Sequence, residues 1–318
     1  MKIIVTGAAG AIGSHVAEAL KKVAHDVVGI DCFTDYYEQE IKETNAADLA
    51  KADISIARRN LAKDDISDLV ADADVIFHFA AQPGISASTP FETFVENNIV
   101  STHRLLEAAL KAKSLKLFVQ ISTSSVYGAH AGSDETSEPK PTSYYGVTKL
   151  AGEQLALSYW RERGLPVSVL RLFSVYGERE RPEKLYHKVI RSVLKGEAFP
   201  LAEGAENHRR SYTHVSDVVG ACLLVLEKID AARGEIFNIG NDETITTGEG
   251  LALIEKIMGK KILIKKAPRR PGDQLETSAQ IGKARKVLGF KPLVKPEEGL
   301  RRQVQWYKEK LHKPQNKG

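Results

Sequence analysis

Short apolar runs and longer amphipathic stretches alternate along the first half of the chain. KIIVT (2–6), DVVGID (26–31), DISIAR (53–58), DVIFHF (74–79), LKLFVQIS (115–122) and PVSVLRLF (166–173) are rich in β-branched residues and lack strict apolar–polar alternation. Runs of this kind predict strands covered on both faces, as in a parallel sheet flanked by crossover helices. Helices are predicted between them, from about Ala11 to Val23, from Phe91 to about Lys113 and over 144–163. In the second of these Val95, Ile99, Leu105, Leu106 and Ala109 recur at helical spacing. After residue 175 the rhythm changes. Helices at 183–195 and 216–228, the strand EIFNIG (235–240) and Pro/Gly-containing loops mix, ending in a helix from Pro296 to about Leu311. The fold class expected is α/β: a doubly wound parallel sheet over 1–175, with 210–242 returning to it, and a smaller, discontinuous lobe over 176–318.

Composition changes this picture little. A chain of 318 residues, 42% hydrophobic and 27% charged, is globular and long enough for one sizeable domain or two modest ones. Its formal charge of +4 suits an anionic small molecule as well as nucleic acid and chooses neither. The densest basic stretch, GKKILIKKAPRRPGD from Gly259, has an apolar centre and reads as a strand with solvated lysines leading into a loop. No nucleic-acid partner is therefore expected. Cys32 and Cys222 match no metal or redox spacing, so no metal is expected and a reducing compartment fits. The opening MKIIVTGAAGAIG is broken by glycines after five residues, and no other run approaches twenty apolar residues. Neither a signal peptide nor a membrane span is expected, which places the protein in the cytoplasm.

Chemistry enters with VTGAAGAIG, which sets Gly7, Gly10 and Gly13 between the first strand and the first helix. Gly7 permits a tight turn, Gly10 lets backbone approach a pyrophosphate, and Gly13 lets helix pack on strand. The helix N-terminus then offers free N–H groups and a positive dipole to phosphates. Asp31 ends the second strand, where a carboxylate accepts both ribose hydroxyls of NAD and repels the extra phosphate of NADP. The cofactor expected is NAD.

In PTSYYGVTKLAGEQL (141–155), Tyr145 and Lys149 stand four apart, so their Cβ atoms lie about 5–6 Å apart on one helix face. Lowering a phenol by three pH units takes about 4 kcal/mol. One ammonium at ~4 Å supplies about that at an effective dielectric near ~20. Tyr145 is thus a candidate general base with Lys149 as its electrostatic partner and as a ligand of the cofactor ribose, which puts both on the cofactor side as well as in catalysis. Tyr144 competes, but the residue four after it is Thr148. The preceding strand ends in ISTSSVYG, which puts several hydroxyls where such sheets bind ligands.

TGAAGAIGSH, DCFTDYY, FHFAAQPG, ENNIVST, STSSVYG, YGVTK, RLFSVYG, RRSYTHVSDV, FNIG and RRPGD follow one another over nearly the whole length. In these motifs and their order the chain resembles the extended short-chain dehydrogenase/reductase family, and within it the NAD-dependent nucleotide-sugar epimerases and dehydratases. The resemblance implies a Rossmann domain, a C-terminal lobe holding a nucleoside diphosphate sugar, and a homodimer packed through the helices at 91–113 and 144–163. It places Ala11, Ile12, Asn60, Leu61, Phe79, Ala80, Ala81 and Asn98 on the cofactor side. Ser174, Arg210, Arg270 and Asp273 fall on the sugar-diphosphate side, with Arg210 and Arg270 as the pyrophosphate clamp. Arg209 and Arg269 are read as solvent-facing. Thr123 would bond the reacting hydroxyl.

The two positions after that threonine carry Asp-Glu in the 4,6-dehydratases and Ser-Glu in the decarboxylases. Here they are Ser124 and Ser125, which leaves oxidation, rotation and return: epimerisation at C4 through a 4-keto sugar, with Tyr145 taking the hydroxyl proton while C4 gives hydride to NAD. GERERPEKLYHKVI (177–190) resembles a segment that bacterial UDP-glucuronate 4-epimerases write with Arg-Pro-Asp-Met. Arg181 would then face the C6 carboxylate, aided by hydroxyls of Thr123, Ser124 and Ser125. Lys184 in place of methionine, Ser86 in place of a basic residue, AEGAENH in place of a GDG turn, and Asn60 in place of Asp depart from that subgroup. A UDP-glucose 4-epimerase, a UDP-glucuronate decarboxylase and a non-catalytic NAD-binding regulator stay open as alternatives.

Overall fold

Seven of the apolar runs pair into one sheet: β1 (Lys2–Thr6), β2 (Asp26–Asp31), β3 (Ser55–Arg58), β4 (Val75–His78), β5 (Leu117–Thr123), β6 (Val167–Leu172) and β7 (Ile236–Ile239). Their order is β7-β6-β5-β4-β1-β2-β3, and every pairing is parallel. The computed structural model describes residues 1–84, 89–268 and 276–312. Every residue of β5 and β6 is buried, which is why their sequences show no alternation. The side-chain period of two still sorts them: Ile3 and Val5 join one core, Ile4 the other.

The main helices are α1 (Ala11–Lys22), α2 (residues 91–109), α3 (Tyr144–Arg163), α4 (Leu185–Lys195), α5 (Val215–Glu227), α6 (Thr247–Met258) and α7 (Pro296–Lys310). Helices α1 and α5 cover one face of the sheet, α2 and α3 the other. Helix α2 is interrupted by a π turn over Glu96–Val100 and stops at Ala109, short of the expected Lys113. The amide of Lys113 is taken by Ala71 O (3.0 Å), so the chain has already turned away. Strand β3 likewise begins two residues late, because Asp53 is left-handed (φ 57°) and Ile54 N still bonds Leu49 O (3.0 Å). A helix over Gln39–Lys51 went unread in the sequence.

A third core of Tyr176, Tyr186, Ile190, Tyr212, Ile254 and Val304 gathers α4, α6 and α7 into the lobe. The centre of the basic stretch pairs there as Ile264–Ala267 with Phe199–Ala202, its lysines exposed. Among the described residues, no helix is long and apolar enough to cross a membrane. Strand order reverses between β4 and β2 on either side of β1. A doubly wound sheet opens a crevice outside the carboxyl ends of its strands at such a point.

Candidate functional site

A cavity of about 910 Å³ occupies that crevice and runs on between the sheet and the lobe. Its wall includes Gly7, Gly10, Ala11, Ile12, Gly13, Asp31, Asn60, Leu61, Phe79, Ala80 and Ala81 at one end. Thr123, Ser124, Ser125, Tyr145, Lys149, Ser174, Arg181 and Arg210 continue it. Arg270, Asp273, Arg269 and Ser86 lie outside the described residues. Arg209 is exposed, as read, with Nε 3.4 Å from Thr244 Oγ1.

At the first end the backbone itself makes the cradle. Gly7 has φ +66°, and a Cβ there would stand 2.8 Å from Ala80 N. A Cβ on Gly13 would stand 2.3 Å from Gly7 O, so only glycine lets α1 start this close to β1. The bare N-terminus of α1, which has no side-chain cap, faces this space. Asp31 Oδ2 accepts from Ala9 N (3.0 Å) and Oδ1 from Phe33 N (2.8 Å), which fixes the carboxylate at the end of β2. Asn60 Oδ1 accepts from Ala62 N (2.8 Å), and among the described residues nothing else takes up its amide nitrogen or second lone pair, which suits a ligand. These residues fit a dinucleotide: a phosphate cradle that a Cβ would fill, an acid for ribose, and apolar walls.

Asn98 does not share that wall. It is buried behind it, where Oδ1 accepts from Gln82 N (2.7 Å) and Nδ2 donates to Thr148 Oγ1 (2.9 Å). It thereby holds Gln82, which lines the cavity in the loop after β4, against α3. His78 works similarly between Thr6 Oγ1 (2.8 Å) and Thr102 Oγ1 (3.0 Å). Burial first, and the charge of Lys149 second, push its imidazole down to about 3 and keep it neutral.

The middle of the cavity depends on how α3 begins. Ser143 Oγ accepts from Gly146 N (3.1 Å), so the helix starts at Tyr144 and carries Tyr145 in its first turn and Lys149 in its second. Thr123 ends β5 opposite them and bonds the Tyr145 hydroxyl. Burial holds the Tyr145 phenol above its usual range, while the charge of Arg181 and the Thr123 hydrogen bond lower it. The charge of Arg181 thus reaches the phenol from the lobe end of the cavity. Lys149 lines the same cavity at 4% exposure, where burial pushes it down to about 8 against the pull of Glu153.

Glu153, fully buried, lies one turn beyond Lys149. Its Oε2 accepts from Ser122 Oγ (2.7 Å) and Arg171 Nε (3.0 Å), and its Oε1 from Arg171 Nη2 (2.5 Å). Arg171 Nη1 donates to Tyr127 Oη (2.7 Å), which donates to Asn238 Oδ1 (2.9 Å). The chain of bonds ties α3 to β5, β6 and β7 directly beneath the Thr123–Tyr145 pair. Sequence reasoning missed it, although Glu153 follows Lys149 at the same spacing as Lys149 follows Tyr145.

At the lobe end, Arg181 Nη1 stands 3.0 Å from Glu183 Oε1. Arg181 and Glu183 both act on Tyr36 and Tyr37 of the loop after β2. Glu180 is 5% exposed and accepts from Gln303 Nε2 (2.6 Å) and His187 N (3.0 Å), and burial pushes it up to about 7. Tyr36, Tyr37, Glu180, Glu183 and Lys184 all line the cavity. Their segments were legible as motifs, but nothing in their spacing shows that they meet.

A model of the NAD dependent epimerase/dehydratase family matches residues 3–240. The chain is 38% identical to the uncharacterized UDP-glucose epimerase YtcB of Bacillus subtilis (strain 168), over 96% of this chain and 97% of that one. It is 34% identical to UDP-glucuronate 4-epimerase 2 of Arabidopsis thaliana, over 96% of this chain and 76% of that one. The solved structure of UDP-glucuronic acid 4-epimerase from Bacillus cereus, in complex with UDP-glucuronic acid and NAD, matches at TM-score 0.93 and 37% identity. That match covers 97% of this chain and 99% of the other.

Proposed function

The chain belongs to the NAD dependent epimerase/dehydratase family, and from that premise we propose that it is a UDP-glucuronate 4-epimerase using NAD, interconverting UDP-glucuronate and UDP-galacturonate. The observation that carries this reading is the presence of Arg181 in one cavity with Thr123, Ser124, Ser125 and Tyr145. An arginine fork suits a sugar carboxylate, and hydroxyls without an adjacent acid give neither elimination nor assisted loss of carbon dioxide an agent.

In this reading Gly7, Gly10, Gly13 and the α1 N-terminus hold the pyrophosphate of NAD, Asp31 its adenosine ribose, and Lys149 the ribose nearer the reaction. Bound there, NAD supplies the acceptor and then the donor of the hydride at sugar C4. Tyr145 takes the 4-hydroxyl proton and returns it, with Thr123 bonding the same oxygen. Of this chain's own groups, Thr123 and Arg181 favour the phenolate. Arg210 neutralises the sugar diphosphate. The 4-keto uronate is a β-keto acid, so Arg181 and the hydroxyls of 123–125 must also keep its carboxylate out of alignment for loss. We assign 1–175 with 210–242 to the cofactor and 176–318 to the nucleotide sugar.

A neutral hexose is the second reading, favoured by the name of the 38% identical relative. Incubation of the purified protein with UDP-glucuronate and UDP-glucose separately, followed by identification of products, tests the two. UDP-galacturonate without carbon dioxide is expected, and preference for the hexose would strip Arg181 of its role. A homodimer fits the exposed apolar side chains of α2 and α3, where Phe91 and Tyr144 rings lie 5.1 Å apart and Val100 and Val147 are exposed as well. Sedimentation of the wild type as a dimer, and of Val147→Glu as a monomer, is the expected outcome. In this reading the protein acts in the cytoplasm, a reducing compartment that suits its free Cys32 and Cys222.

A further inference from the structure

The loop 180–184 brings two acids and two cations to the lobe end of the cavity: Glu180, Arg181, Glu183 and Lys184. Arg181 and Glu183 are close, at 3.0 Å, yet Arg181 Nη1 and both Glu183 oxygens are buried without a hydrogen-bond partner among the described residues. Charge alone holds the pair, and its acceptor lone pairs are unfilled. A contact of that kind separates more readily than a bidentate one such as Glu153 with Arg171, whose bonds are aligned.

A uronate carboxylate that reaches Arg181 therefore meets Glu183 already there. Two carboxylates crowding one guanidinium repel each other, and the one with a second cation to go to is the one that moves. That cation is next in sequence. Lys184 stands in extended backbone at the N-cap of α4, lines the same cavity, and feels the charge of Glu183 as well as that of Glu180. Its chemistry also fits its departure from the methionine of the subgroup that the sequence resembles.

We propose that Glu183 is the exchangeable counter-ion of Arg181: the substrate carboxylate takes its place on the guanidinium, and the displaced acid passes to Lys184. The inference rests on the reading of Arg181 as the carboxylate ligand and adds how selectivity is set. A neutral sugar has nothing to put in place of Glu183 and leaves the pair closed. A uronate opens it, and its affinity is the difference between two ion pairs rather than the gain of one.

The test is the ratio of the dissociation constants of UDP-glucose and UDP-glucuronate, measured by titration calorimetry on the NAD-loaded protein. Glu183→Gln removes the competitor and should shift the ratio about tenfold toward the uronate. Glu183→Ala, which removes the charge without adding a donor, must shift it the same way. Lys184→Met takes away the acceptor of the displaced acid and should shift the ratio toward the hexose. A ratio unchanged in both Glu183 variants, with wild-type protein still epimerising UDP-glucuronate, overturns the exchange and leaves the proposed function standing. Wild-type protein that epimerises UDP-glucose alone overturns both.

Discussion

Tyr145 keeps its proton against two groups that draw it away, because burial opposes the charged phenolate more strongly than Arg181 and Thr123 favour it. Replacing that hydroxyl leaves the ring, the start of α3 and the cavity wall in place. Tyr145→Phe is therefore expected to lower the rate of product formation by about a thousandfold, the scale of a lost general base, with little change in melting temperature. A loss below about tenfold would move the proton transfer to another group. At this scale the sequence was legible where chemistry follows local spacing. Gly7, Gly10 and Gly13 crowd one turn, and Tyr145 and Lys149 share one helix face. It was silent where side chains meet across the fold. Arg181 lies far from Tyr145 in sequence, and nothing in either segment shows that its charge reaches the phenol.

The elements around the site are held by one buried ion pair. Glu153 from α3 and Arg171 from β6 are 0% and 2% exposed in their side chains, and Ser122 and Tyr127 from either side of Thr123 bond to them. Removing one partner leaves the other as an uncompensated charge in a dry interior. Glu153→Gln should destabilise folding by about 3–5 kcal/mol in chemical denaturation, and Glu153→Gln with Arg171→Met should recover most of that loss. If the double variant is no more stable than the single one, the pair is not the joint between α3 and the sheet. The strands were legible because runs such as LFVQIST must be apolar and β-branched to be covered on both faces. The helix Gln39–Lys51 was not, for it buries Lys42 and Asn45 along with Ile41 and Leu49 and so shows no apolar stripe. Lys42 Nζ is satisfied by Thr34 O and Oγ1, and Asn45 Nδ2 by Ala9 O, each at 2.9 Å.

Across the whole molecule, the lobe carries a pH dependence that the sheet does not need. Glu180 sits at about 7 in the folded protein against an ordinary 4.5, with burial the main cause. Between those values the folded state holds a proton that the unfolded chain has released. The contribution of Glu180 is full below pH 4.5 and is lost as pH rises to about 7. Glu180→Gln keeps an acceptor for Gln303 and removes the titration. Its unfolding free energy should gain on the wild type by about 3 kcal/mol more at pH 8 than at pH 4. Equal differences at the two pH values would place the proton elsewhere. A change of rhythm after residue 175 was legible, and the third core begins there at Tyr176. Its aromatic character was not, since Tyr176, Tyr186 and Tyr212 come together only through tertiary packing.

The strand that closes the sheet, β7, follows some sixty residues of chain after β6, most of which build the lobe. A nascent chain emerging from the ribosome thus holds six strands with one flank of β6 uncovered until Ile239 has left the exit tunnel. Synthesis halted near the middle of the chain leaves a sticky, self-templating border rather than a finished nucleotide-binding half.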